Sequence, residues 1–384
     1  MESFHALVVL NLLPGIGPIR IRALEEEFGS LSTVFTRSRG ELARVPGIGD
    51  KLAQQIVDWQ QFCDLKSELN ACNDAGVKII TFQDPDYPPL LKELRDAPVI
   101  LYVIGDSTCL REAEKTVAVV GTRHPSRYGE QMSRKLCAEA VAGGWTVVSG
   151  LAQGIDTCAH KATLDEGGKT IAVLGGGVGR IFPFENVALA RRIADSGGAV
   201  ISEFPLLAAP AKHTFPMRNR IVAGMTRATL CVEAGTGSGS LITCNLALEQ
   251  GRSVLAVPGQ VTSPQSRGCH SLLRDGARLC ENFDDVIDEL SFLPGIKRVK
   301  NVAVAPSAKS NATQPLRQPE LFPVVQLSPL ELKILDTLSR GDATADTLQD
   351  ETGETPGKLF AALLEMELRG QVKPLPGRRF TACV

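Results

Sequence analysis

Between positions 115 and 290 the chain alternates two patterns. Six apolar, β-branched runs, TVAVVG, WTVVSG, TIAVLGG, AVISE, ATLCVE and SVLAVPG, are each followed by a turn and a stretch with helical spacing. A strand that is apolar on both faces is one covered on both faces, as in a parallel sheet between helix layers. The pattern predicts an α/β, Rossmann-like doubly wound parallel sheet. Residues 71–114 read as a covering extension of it: Pro85, Pro88, Pro89 and Pro98 punctuate a loop, one short helix and a strand at 99–104.

The flanks have different rhythms. Residues 1–70 predict short helices around two matching turns, LLPGIGPIRIRAL at 12–24 and RVPGIGDKLAQQI at 44–56. The repeated P-G-I-G resembles a helix-hairpin-helix, in which Gly15, Gly17, Gly47 and Gly49 would let backbone N–H groups approach a phosphate. A plain helical bundle with tight turns reads equally from the same residues, and the acidic run Glu25–Glu27 favours it. Residues 291–325 hold five prolines and no periodicity, and read as a linker. Residues 326–384 predict three helices, the first capped by Ser328, and a hairpin closed near Pro376 and Gly377. That is a winged-helix arrangement, with 356–369 in the recognition-helix position.

Composition narrows the class. With 384 residues, 43% hydrophobic and 22% charged, the chain is an ordinary globular protein of two or three domains. Its apolar runs are too short for a membrane span, and no secretory pattern opens it, so a cytoplasmic location is expected. The ten cysteines form no CxxC, which points to neither a metal site nor a disulfide framework. Cys137, Cys158, Cys231 and Cys244 are expected as small buried residues. The net charge of −2 divides into −6 over 1–114, +2 over 115–290, +4 over 291–325 and −2 over 326–384. Nucleic-acid binding would therefore rest on a local cluster of cations, not on a basic blanket.

Several strand-end loops are candidates for an anion nest: Gly121 and Thr122, Ser149 and Gly150, and Gly237, Ser238, Gly239 and Ser240. Close helix–sheet packing demands glycine just as well. GxGxxG after the first strand is missing and GxxxxGK[ST] is absent, so no nucleotide cofactor is expected. Neither a catalytic constellation nor a metal-ligand spacing is present; His124 and His160 read as structural and Asp156 as a helix cap. Glu203 and Glu233 stand at strand ends without a nucleophile partner in sequence.

Cation placement carries more. Arg123 leaves the first strand of the series, and KHTFPMRNR brings Lys212, Arg218 and Arg220 around Phe215 and Asn219. Cations around an aromatic ring suit single-stranded nucleic acid, the charges taking phosphates and the ring a base. Arg218 and Arg220 could equally pair internally with Glu203 or Glu233.

The ordered motifs VGTR at 120–123, SGLAQGIDTCAH at 149–160, FPFEN at 182–186, FPMRNRIVAG at 215–224, EAGTGSGSLIT at 233–243 and AVPG at 256–259 resemble the DprA/Smf family of DNA-processing proteins. The resemblance implies sequence-independent binding and protection of single-stranded DNA, and recruitment of RecA during natural transformation and recombination, without enzymatic turnover. It places the DNA pocket on Arg123, Lys212 and Phe215, with Arg218 and Arg220 lining or supporting it. It also implies a homodimer through 268–277, with Leu272 and Leu273 as apolar candidates, and a single-strand-binding protein as a further partner. Phe182 stands where the family commonly has tyrosine, and GCHSLL where it has GxNxLI. The rival from another class is a Rossmann nucleotide-binding enzyme of phosphoribohydrolase type, holding phosphate at Gly237–Ser240 and using Glu233 or Glu203 as acid or base.

Overall fold

The structure, a computed structural model, describes residues 1–294, 296, 328–339, 342–368, 372–375 and 379–382. Two strands precede the alternating region, β1 (Lys78–Thr81) and β2 (Ile100–Gly105). The six apolar runs become β3 (Thr116–Gly121), β4 (Thr146–Ser149), β5 (Thr170–Val173), β6 (Ala199–Ser202), β7 (Ala228–Glu233) and β8 (Ser253–Ala256), and a short β9 (Arg278–Leu279) follows. Together they form one sheet in the order β1-β2-β6-β5-β4-β3-β7-β8-β9. Every residue of β4, β5, β6 and β7 is buried, which accounts for their unbroken apolarity.

The six runs pair in parallel, as their helical connections require. The sheet as a whole is mixed. The extension lays β2 antiparallel on β6, and β1 antiparallel on β2, which covers the edge that β6 would otherwise leave open. From β3 the strands add on one side as far as β6; the chain then crosses to β7 on the other side of β3, by way of the helix Thr214–Gly224. In such sheets ligands gather beyond the carboxyl ends of the strands, near this reversal.

The core of the N-terminal helices runs on into that of the sheet region. Val9, Leu10, Ile21, Leu24 and Ile56 share one apolar cluster with Tyr102, Leu174 and Val200 of the sheet region. Polar ties cross the same boundary: Asn11 Nδ2 donates to the Glu203 carbonyl, and the Glu68 carboxylate accepts from Leu206 N–H. Gly15 and Gly47 have φ of 79° and 81°, the left-handed turn that glycine adopts freely. One side chain joins the two P-G-I-G turns, since Arg20 donates to the carbonyls of Gly47 at 2.8 Å and Gly15 at 2.7 Å. Gly17 and Gly49 immediately precede the helices Pro18–Phe28 and Asp50–Val57.

The C-terminal unit has its own core, built on Ile334, Leu348, Leu359, Leu363, Met366 and Phe380. Helices Pro329–Ser339, Ala345–Thr352 and Pro356–Leu368 pack with a three-stranded sheet formed by Ala343–Thr344, Arg379–Ala382 and Val372–Leu375. Ser328 caps the first helix reciprocally with Glu331. Pro376 and Gly377, expected to close the hairpin, lie outside the described residues, as does the linker expected at 291–325 apart from 291–294 and Ile296. Among the described cysteines, Cys63 and Cys158 are half-buried and the others buried; Cys158 is thus more open than its pattern suggested. No group of three metal-ligating side chains occurs among the described residues, and no helix there is long and apolar enough to cross a membrane.

Candidate nucleic-acid interface

Beyond the carboxyl ends of β3, β4 and β5 lies a cavity of about 250 Å³, lined by Arg123, Gly150, Ala152, Gln153, Gly175, Phe182, Phe184, Phe215 and Arg218, with Glu367 also bordering it. Arg123 is exposed and its guanidinium carbon stands 5.8 Å from the centroid of the Phe215 ring, a cation–π distance. The ring can lie there because residue 175 has no side chain: a Cβ on Gly175 would come within 2.9 Å of it. Thr214 fixes the helix start beside it, its hydroxyl bonded to the Gly175 carbonyl. Lys212 is exposed on the turn leading into the same helix, outside the cavity wall. A larger cavity of about 580 Å³ among the N-terminal helices, near His5, Trp59, Cys63 and Lys66, is remote from these groups.

The other two arginines of KHTFPMRNR turn inward. Arg220 is 8% exposed, forms an ion pair with the equally buried Glu203, and has Asp96 3.3 Å from Nε. This is the internal pairing that the sequence left open, so Arg220 has no face for a ligand phosphate. Burial pushes the Glu203 carboxyl up, and Arg220 opposes the shift. Arg218 is 5% exposed and donates Nη1 to the carbonyls of Gly150 and Val173, which ties the ends of β4 and β5 to the helix. Enclosure lowers its guanidinium to about 10, still charged at neutral pH, with Asp156 favouring the cation. Arg218 is thus a charged support of the cavity floor. Asn219 braces the same region, accepting from Arg218 Nε at 3.1 Å and reaching the Gly239 carbonyl at 3.5 Å.

The expected nests separate on accounting for their backbone donors. The N–H of Thr122 is taken by the Glu233 carbonyl at 2.7 Å, and that of Gly150 by Asp156 Oδ2 at 3.1 Å; the Ser149 hydroxyl bonds the Val119 carbonyl at 2.7 Å. Gly121 is needed for packing, since a Cβ there would meet Ile155 at 2.6 Å. These four positions are therefore no open nest. Gly237, Ser238, Gly239 and Ser240 differ: Gly237 has φ of 80°, a Cβ on Gly237 or Gly239 would meet open space, and Ser238 caps the helix Gly239–Glu249.

Other expectations resolve locally. Asp156 caps no first turn; its carboxylate accepts from Gly150 and Ala152 N–H and so holds the loop before its helix, while Gly154 takes the cap position. Glu233 accepts from Ser126 N–H and hydroxyl at 2.8 and 2.7 Å, which fixes the start of the helix Arg127–Ala142. His160 is fully buried against the Thr170 hydroxyl at 2.7 Å. Leu272 is buried in the core with Val254 and Ala256 and so faces inward, while the half-buried Leu273 packs partly against the same cluster and keeps part of its surface open. Their helix, Arg267–Arg274, buries Gly268, Cys269 and Leu272.

Sequence reasoning missed Gln153, Phe182 and Phe184 as cavity residues. The aromatic pair around Pro183 was the available signal, since aromatics on a loop without period lack an obvious core face.

Comparison with known proteins agrees with the architecture throughout. Residues 78–291 match the family described as DNA recombination-mediator protein A, 318–378 the DprA winged helix domain, and 8–58 a SAM-like helix-hairpin-helix tandem. Protein Smf of Synechocystis is 32% identical over 380 residues, covering 95% of each chain. The DNA processing protein DprA of Bacillus subtilis is 40% identical over 231 residues, 60% of this chain and 77% of that protein. Among solved structures, DprA from Streptococcus pneumoniae superposes with a TM-score of 0.65 at 35% identity, over 75% of this chain and 99% of that one. DNA processing protein A from Helicobacter pylori, described for its single-stranded DNA binding mode, gives a TM-score of 0.51 at 29% identity over 57% and 98%. With its central domain, both flanking units and nearly its full length matched, this chain belongs to the DprA/Smf family of DNA-processing proteins.

Proposed function

We propose that the protein binds single-stranded DNA without sequence preference in the cavity beyond β3–β5, protects it, and as a homodimer delivers it to RecA in recombination, including natural transformation. The observation that carries the reading is Arg123 poised over Phe215 at the mouth of an open cavity. A guanidinium binds a phosphate and a ring binds a base face, and neither group distinguishes one base from another. The exposed Lys212 supplies a second phosphate contact at the entrance. Arg218 supports the site from below, and its enclosed charge adds to the positive potential that a phosphate meets. A single-strand-binding protein fits the reading as a partner displaced during RecA assembly.

Titration of a labelled oligo-dT across a salt series tests the pocket. Arg123→Ala and Lys212→Ala should each weaken binding and reduce the slope of log K against log salt by about 0.7 for each phosphate no longer neutralised. Phe215→Ala should weaken binding by about 1–3 kcal/mol with the slope unchanged, because stacking releases no counterions. Wild-type affinity and slope in Arg123→Ala and Phe215→Ala together would sink the assignment. RecA filament growth on strands coated with single-strand-binding protein, with and without this protein, tests the delivery step.

A further inference from the structure

We infer that Phe182 and Phe184 form a second base-stacking shelf beside Phe215, so that the strand crosses the cavity with neighbouring bases held apart; the inference rests on the single-stranded DNA reading of this site. Both rings stand in water, 52% and 41% exposed, and neither belongs to the apolar cores. Exposed aromatic surface at a cavity lip forgoes the gain of burial, and it marks a surface built to receive something.

The segment that carries the rings is held independently of them. Pro183 is buried, and Asn186 donates Nδ2 to the Leu151 carbonyl at 2.9 Å and to the Thr157 hydroxyl at 2.8 Å. Gln153 Nε2 donates to Glu185 at 3.1 Å and joins the segment to the loop after β4. The backbone is thus held by Asn186 and Gln153 while about half of each ring remains exposed.

Ring spacing decides how a strand would lie. The centroids of Phe182 and Phe215 are 5.9 Å apart at 48°, a tilted contact into which no base fits. Bases would rest on the outer faces, one to each ring. That separation exceeds the roughly 3.4 Å between stacked neighbours along a strand, so two bases seated there have given up their stack on each other. A base–ring contact replaces it for each base, and that exchange is tolerant of sequence because every base has a π-face.

The experiment compares oligo-dT with an abasic oligodeoxynucleotide of equal length. The Phe182→Ala/Phe184→Ala double variant should bind oligo-dT about 5- to 150-fold more weakly, with the salt slope and the abasic affinity unchanged. Phe182→Trp/Phe184→Trp should bind oligo-dT as wild type does. A strand with two adjacent 2-aminopurines should brighten on binding wild type, as the pair unstacks, and brighten less with the alanine variant. Wild-type affinity in the double alanine variant, while Arg123→Ala and Phe215→Ala both weaken binding, overturns the shelf and leaves the site standing. Equal weakening on oligo-dT and the abasic strand also overturns it, since the rings would then only support the backbone. Unchanged binding in Arg123→Ala and Phe215→Ala overturns the underlying reading instead.

Discussion

The Arg218 guanidinium fills the space that a side chain on Gly150 would need: a Cβ there would stand 2.5 Å from Nη1. The same nitrogen bonds the Gly150 carbonyl, so the glycine is both the arginine's partner and the reason it fits. A side chain at 150 would dislodge an enclosed cation from beneath the cavity, and the cavity floor would lose its shape with it.

Gly150→Ala should therefore destabilise the protein by about 1–3 kcal/mol, as overpacking of a tight interior does. Oligo-dT affinity should fall with it, because Arg218 borders the cavity. Urea denaturation and the binding titration check both; unchanged stability would mean that the arginine relocates freely.

Arg220 and Glu203 should behave as structural partners. Arg220→Met leaves a buried carboxylate without its counter-charge and should lower stability by about 3–5 kcal/mol. Adding Glu203→Gln should restore part of that stability, since the neutral amide no longer needs the cation. The salt slope of oligo-dT binding should stay at the wild-type value in both variants. A slope reduced by about 0.7 in Arg220→Met would reveal a phosphate contact.

Acid sensitivity should begin with His160. Burial pushes its imidazole from the ordinary 6.5 down to about 3, with Arg218 adding to the shift. Between those values the unfolded chain takes up a proton that the folded chain refuses, so stability falls as pH drops, by up to about 1.4 kcal/mol per pH unit. Above pH 6.5 the residue contributes no slope. Asp86, whose carboxyl is held well below its usual range by Lys78, Ser107 and Arg111, lowers stability further as pH falls below about 4. Denaturant unfolding of His160→Gln from pH 7 to 4.5 should show a slope shallower by about one proton; the wild-type slope would mean that protons already reach the ring.

Glu367 places a carboxylate on a cavity whose other charged residues are Arg123, Arg218 and Glu185. Removing that charge with Glu367→Gln should tighten oligo-dT binding by a few-fold at low salt, the scale of an exposed pair, and the gain should shrink as salt rises. Equal affinities at low salt would show that the winged helix leaves the strand's path untouched.

Much of this protein was legible in one dimension. Continuous apolarity identifies β3–β8 because a strand covered on both faces has no polar positions to alternate with. The matched P-G-I-G turns and the Ser328 cap mark the flanking units by local backbone demands. Cation placement drew Arg123, Lys212, Arg218 and Arg220 together around Phe215, and the ordered motifs pointed to the family, whose resemblance singled out Arg123, Lys212 and Phe215. What the sequence left open was which cations face water. The helix Thr214–Gly224 is a crossover packed against the sheet, with Arg218, Arg220, Ile221, Val222, Ala223 and Gly224 all buried, so no polar stripe separates inner from outer arginines. Their partners Gly150, Val173 and Glu203 are 68, 45 and 17 residues away, and only the assembled sheet brings them within reach. The strand-end loops show the same division: glycine is written in the sequence, but whether its amides are open or already bonded is settled by the strand alongside. Phe182 and Phe184 lie on a loop, where no period says which way a ring points; the tertiary structure alone turned them to the cavity.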